Sequence, residues 1–296
     1  MPSVNLPYSH SPWTTVRCQA LEVHFMPQTA IMTMVFGQEL ADGRLTDIHM
    51  LEALSAMGYD GVELPTSRLF DNAGCLADYR AVLADAPLEV PCLDAVVNLV
   101  HRDATARQHA VDDLRRGIDA AAQLDAPLAL VAGSRLSDGI TPDEGRRMIA
   151  EGLSACTEHA NAAGVTLAIE DFGVAPTLQC AANDCAAVLD GAPGTALVFD
   201  TGNFYFAGED PLDNFERLAP RTRHVHVKDW RRSAKPEIAD VAGVALGKGL
   251  IPNAALIKRF LAETDVPWFS VELGAPGARL EAARNDLHTL GTWLNA

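Results

Sequence analysis

Eight short apolar runs, most of them followed by a longer stretch whose apolar residues recur every three to four positions, limit how this chain can fold. The runs lie at 31–36, 61–64, 90–97, 128–132, 166–170, 196–200, 223–227 and 268–273. Continuous apolar runs of this length are expected as strands buried on both faces. Between them, Leu45, Ile48, Leu51 and Leu54, and again Val111, Leu114, Ile118 and Ala121, form single apolar stripes of helices that lie against a sheet. Thr141-Pro142-Asp143-Glu144 pairs a capping Thr with Pro at the first helical position and a Glu that reaches back. A helix is therefore expected from there to about residue 164. Eight consecutive βα units within 296 residues predict a single α/β domain closed as a (β/α)8 TIM barrel. A doubly wound open sheet is the alternative.

Residues 1–29 carry Pro2, Pro7, Pro12 and Pro27 and no sustained period, so they are expected to form an irregular N-terminal arm ahead of a barrel spanning 30–296. Tyr8, Trp13 and Phe25 would need cover, which predicts that the arm packs on the barrel or on a second copy in a homo-oligomer. The six cysteines show no paired spacing and are expected as reduced core thiols. No apolar stretch has the form of a secretory signal or the length of a membrane span, so cytoplasm is the expected compartment and no membrane partner is expected. Acids exceed bases 39 to 23, and the resulting net charge of −16 argues against nucleic acid as a partner.

In a barrel, residues at the C-terminal ends of the strands face the active site. Three candidate strands deliver an acid there: Glu170 ends the fifth, Asp200 the sixth, and Glu272 lies at the end of the eighth. The seventh, His224-Val225-His226-Val227-Lys228-Asp229, puts His224, His226 and Lys228 on one face by its period of two. Each residue alone has an ordinary role, since a strand-terminal acid can cap a helix and a strand histidine can sit satisfied in a core. Together, Glu170, Asp200, His226 and Glu272 would place three carboxylates close enough to repel, which a divalent cation relieves. Three carboxylates and one imidazole favour Mn²⁺ or Mg²⁺, with Co²⁺ and Zn²⁺ also compatible. His224, deeper in the barrel, is expected to support the site.

The stretches 165–173, Asp200-Thr201-Gly202-Asn203, His224 to Trp230, and Val271-Glu272-Leu273, with Gly58-Tyr59-Asp60-Gly61-Val62-Glu63-Leu64 upstream, resemble the xylose-isomerase-like sugar phosphate isomerase/epimerase family. The resemblance covers nearly everything after residue 30. It implies one divalent metal, Mn²⁺ first, held by Glu170, Asp200, His226 and Glu272, with Glu170 and Glu272 as the catalytic pair that exchanges protons with substrate carbon. One departure stands out: many members carry a histidine where this chain has Asn203, and an amide carries no proton at neutral pH. Arg232, with Arg231 as alternative, falls where related epimerases place a substrate-contacting arginine.

Lys228, Glu63 and His101 complete the expected substrate-binding set, the last two with an ordinary structural role as the favoured alternative; Asp229 is expected as the salt partner of Lys228 or as a turn residue. The Gly-rich stretch 243–249 is one residue short of a nucleotide-binding loop and lacks its Ser or Thr. The function expected from this set is a metal-dependent isomerase or epimerase of a small-molecule carbohydrate: a sugar, sugar phosphate or keto-sugar derivative. A lyase or dehydratase using the same ligands and a non-catalytic binding subunit are the alternatives. A metal-dependent nuclease on this barrel would need more histidines and a less acidic surface.

Overall fold

The computed structural model describes residues 27–70, 75–137, 139–234, 240–272, 274 and 277–296. The expectations for the arm up to residue 26, for Leu273 and for Cys18 lie outside these residues. Eight parallel strands close a barrel in the order β1-β10-β7-β6-β5-β4-β3-β2. They are β1 (Gln28–Met32), β2 (Gly61–Pro65), β3 (Cys92–Val96), β4 (Leu128–Ala132), β5 (Thr166–Glu170), β6 (Ala196–Asp200), β7 (Thr222–Val227) and β10 (Trp268–Val271). An antiparallel hairpin of β8 (Asp229–Arg232) and β9 (Val241–Val244) follows β7. Closure removes the open edges of the alternative doubly wound sheet.

Strand direction sorts the side chains. Outward residues such as Ile31, Val62, Leu93, Ile169 and Phe199 join the helices in the main core. Inside the barrel, Cys92, Leu128, Leu130, Ala168, Ala196 and Val198 form a separate small apolar cluster. Gly61 lets the base of the barrel fill: a Cβ there would stand 2.9 Å from Trp268 Cζ3. Cys92, Cys156, Cys180 and Cys185 are buried free thiols.

The boundaries shift where side chains compete with the ladder. The first run is a strand only to Met32, and Thr33–Phe36 is a 3-10 turn in which the Thr33 hydroxyl donates to the Glu63 carbonyl at 2.6 Å. Gln28 and Thr29 already belong to β1. The third strand begins at Cys92, after Pro91, which has no N–H to offer the ladder. The capping box at Thr141 forms, but its helix stops at Ser154 and a second, Thr157–Ala163, carries the chain to Gly164 at φ 72°. Between the two helices Cys156 is fully buried, its thiol 3.7 Å from the Val111 carbonyl.

Candidate metal and proton-transfer site

Glu170 and Asp200 are the last residues of β5 and β6, His226 is the penultimate residue of β7, and Glu272 follows β10. Register sets them level. Asp200 lies opposite His226 across β6 and β7, Ser270 lies opposite His226 across β7 and β10, and the Glu272 N–H donates to the Val227 carbonyl at 3.0 Å. One donor atom from each of Glu170, Asp200, His226 and Glu272 falls within 4.8 Å of the others. His226 Nδ1 is 2.7 Å from Glu170 Oε1 and 4.0 Å from Asp200 Oδ2.

Asp200 is aimed by its own backbone neighbours. Its Oδ1 accepts from the N–H groups of Gly202 and Asn203 at 2.8 and 2.9 Å, which leaves Oδ2 facing the cluster without a hydrogen bond of good geometry. Lys228 Nζ stands 3.0 Å from that oxygen and 2.6 Å from Glu272 Oε2. Burial pushes the Asp200 carboxyl up to about 7, against the pull of Lys228. Burial also opposes ionisation of Glu272, but Lys228 and His226 beside it hold its carboxyl below the usual range. Burial disfavours a charged Lys228, yet Asp200 and Glu272 raise it well above the ordinary lysine value. A buried set of acids, with Asp200 Oδ2 given an ion pair but no hydrogen bond, fits a divalent ion held by Glu170, Asp200, His226 and Glu272.

A second polar layer lies beneath. Glu63 on β2 is fully buried and bridges two imidazoles, Oε1 to His224 Nε2 at 2.7 Å and Oε2 to His226 Nε2 at 3.0 Å. This leaves His226 Nδ1 toward the mouth, the orientation a carboxylate behind a ligating histidine provides. Burial opposes charge on Glu63, but His226 and His224 bring its carboxyl well below the usual range. Burial likewise works against a charged His226, and Glu63 and Glu170 at its two nitrogens raise it well above the usual histidine value. Asp94 on β3 is 2 % exposed, and burial and the Glu63 charge drive its carboxyl well above the usual range. Asp171 accepts the Asp200 N–H at 2.7 Å, and burial and Asp200 raise its carboxyl well above the usual range.

Comparison with known proteins decides the family. The family model of the xylose isomerase-like TIM barrel matches residues 51–293. The chain belongs to that family. Among curated proteins, the inosose dehydratase of Lacticaseibacillus casei is 30% identical over 122 residues, which is 40% of this chain and 41% of that protein. The fructoselysine 3-epimerase of Shigella flexneri is 25% identical over 199 residues, 63% of this chain and 72% of that protein. The chain thus spans only about two-fifths of the dehydratase it matches. A solved structure of an IOLI protein with a bound zinc atom superposes at TM-score 0.74 with 18% identity, over 90% of this chain and 98% of that one, which is a likeness of fold.

On this xylose isomerase-like barrel the expected residues separate into two groups. Glu63, His224, Asn203 and Lys228 join the cluster, with Lys228 Nζ donating to Asn203 Oδ1 at 3.1 Å. His101 and Arg232 do not. Among the described residues, the His101 ring makes no hydrogen bond to the cluster; it is partly exposed in the connection after β3, where its carbonyl accepts from Arg107. Arg232, like Arg231, is exposed on the hairpin, because β8 turns the chain away from the barrel axis after Asp229. Asp229 does not pair with Lys228: it accepts the N–H groups of Trp230, Ile251 and Gly249 and so anchors the Gly-rich loop ahead of the helix Asn253–Glu263. Sequence reasoning passed over Asp94 and Asp171. The first carries the same signal as Glu63, an acid inside an apolar strand, whereas the second stands directly after a stronger candidate. A cleft of about 540 Å³ lined by Thr222, Arg223 and Val266 opens at the starts of β7 and β10, the opposite end from the carboxylates.

Proposed function

We propose that this chain removes a proton from a carbon next to a carbonyl of a small sugar or keto-sugar derivative, and returns it as an isomerase or epimerase. The carrying observation is that Glu170 and Glu272, on strands separated by β6 and β7, converge with Asp200 and His226 around one point. Two carboxylates reaching one carbon from different strands can act as base on one face and acid on the other. Glu170, Asp200, His226 and Glu272 would hold a divalent ion, Mn²⁺ by preference for a mostly carboxylate set, and such an ion stabilises the negative charge on oxygen that accompanies proton loss. Glu63 keeps the His226 ring in place, and Lys228 keeps Glu272 charged and oriented. Asn203 lies 3.1 Å from Lys228 Nζ and offers an amide rather than a proton-carrying ring to substrate hydroxyls.

A dehydratase reading uses the same first step and then expels a hydroxyl as water. The converging Glu170 and Glu272 serve it equally, since the carboxyl that has taken up a proton can pass it to the departing group. The relatives include both kinds of enzyme. The test is incubation with ketoses, ketose phosphates and inososes in D₂O with Mn²⁺, followed by NMR. Deuterium at carbon with the substrate's mass otherwise retained identifies the epimerase or isomerase, and loss of water identifies the dehydratase. Turnover without any carbon-bound deuterium would refute proton transfer with exchangeable acids.

A further inference from the structure

Lys228 enters the carboxylate cluster along a path cleared by the surrounding chain. Gly202 lies against its stem: a Cβ there would stand 2.5 Å from Lys228 Cγ and 2.7 Å from Trp230 Nε1. The lysine peptide is held from two sides, its N–H donating to Thr201 Oγ1 at 3.3 Å and its carbonyl accepting from Asn253 Nδ2 at 2.9 Å. Nζ then meets Glu272 Oε2 at 2.6 Å, Asp200 Oδ2 at 3.0 Å and Asn203 Oδ1 at 3.1 Å. The contact to Asn203 is a hydrogen bond, and the two carboxylate contacts are ion pairs. The residue is 5% exposed, with the Trp230 ring centroid 5.7 Å from Nζ.

Two of the three contacts are with residues that would also hold the divalent ion. Glu170, Asp200 and Glu272 are the carboxylates on which both the ammonium and the ion would draw. Without the lysine, the attraction of Asp200 and Glu272 falls to the ion alone. Two cations sharing the same carboxylates a few ångströms apart repel appreciably even at an effective dielectric near 20. We propose that Lys228 is a resident cation of the site, which loosens its hold on the divalent ion and keeps Asp200 and Glu272 together when the ion is away. The inference rests on the metal reading above and adds that affinity is limited by a residue that is not itself a ligand.

The experiment uses the full chain stripped by chelator and titrated calorimetrically with Mn²⁺ alone and Zn²⁺ alone, with melting temperatures taken before and after loading. Lys228→Gln and Lys228→Met are expected to bind Mn²⁺ roughly tenfold or more tightly than the parent, to melt lower without metal and to gain more on loading. Lys228→Arg keeps the charge and is expected to stay near the parent affinity. Met is close to lysine in length and packs against Trp230, so it carries the comparison should the Gln variant fold poorly. Equal or weaker binding in the neutral variants, or equal tightening in the Arg variant, overturns the inference while leaving the metal site standing. If neither the parent nor any variant binds either ion, the metal reading falls together with it.

Discussion

The two halves of the barrel mouth differ in kind. β5 and β6 end on Glu170 and Asp200, and the chain leaves β7 and β10 through Lys228 and Glu272. On the other side β1 to β4 end on Met32, Pro65, Val96 and Ala132, and Met34 and Val96 expose about half their surface there, 48% and 49%. The acids of that second half, Glu63 and Asp94, are buried beneath the mouth, where two histidines pair with Glu63 and burial drives the Asp94 carboxyl up. The carboxylates that the proposed reaction would use are therefore gathered on one side of the mouth, and the strand ends of the other side are apolar.

Substitutions that remove basicity from the polar half should have the largest effect. Glu170→Gln and Glu272→Gln keep the size of the side chain, and each is expected to lower turnover by roughly two or more orders of magnitude at matched metal loading. Val96→Ala in the apolar half is expected to change it only a few-fold. The measurement is the rate of carbon-bound deuterium incorporation, with metal content determined on the same samples. A comparable loss from Val96→Ala would erase the distinction between the halves.

Next in size is the contrast between the two floor acids. Glu63→Gln removes the carboxylate behind His226 and is expected to weaken divalent binding by roughly ten- to a hundredfold. Asp94→Asn replaces a carboxyl that burial and Glu63 drive toward its neutral form, so the same titration should give nearly the parent affinity. If Asp94→Asn proves as harmful as Glu63→Gln, the floor acids share one charge instead of dividing into charged and neutral.

A smaller effect, away from both halves, separates stability from function. Asp286, on the helix Arg279–Leu294, accepts the Leu246 N–H at 2.9 Å, and burial raises its carboxyl to about 6. The nearby titratable groups are Tyr59, raised by its burial and by Asp286, and Asp229, whose charge adds to the Asp286 shift. A carboxyl raised on folding leaves the native state holding the extra proton between the unfolded value near 3.8 and the folded value near 6. Its contribution to stability is present below that window and is lost as pH rises through it. Asp286→Asn should flatten this part of the profile in melting curves taken from pH 4 to pH 7, leaving divalent affinity at pH 7 as it was. The smallest change expected is from Thr141→Ala, which removes the capping box of the helix Pro142–Ser154. It should cost about 1 kcal/mol, or roughly 2 °C in melting temperature, with metal binding unaltered.

How much of this was legible beforehand varies by residue. Glu170, Asp200, His226 and Glu272 could be read because each is a polar residue at the end of an apolar strand, and a barrel must bring such ends to one rim. Arg232 stands outside the cluster, on the exposed hairpin, because spacing along the chain says nothing of direction: β8 pairs with β9 right after Lys228. His101 shares that difficulty, lying in a connection whose path depends on packing. Lys228 was visible on the right face of β7, but nothing local indicates that its ammonium would join Asp200 to Glu272, residues 28 positions before and 44 after it in the chain.

Alternation of apolar runs and amphipathic stretches, read alone, determined the barrel, its strand order of acids and the residue types available at the mouth, because periodicity is a local property of the chain. Only the tertiary structure decided which way each carboxyl is shifted. Glu63 is held below the usual range and Asp94 is driven above it although both are buried acids on adjacent strands, since two histidines of β7 reach Glu63 across the barrel while Asp94 faces burial and the Glu63 charge. Protonation depends on what stands within a few ångströms in space, and in a closed barrel those neighbours come from strands more than a hundred residues away.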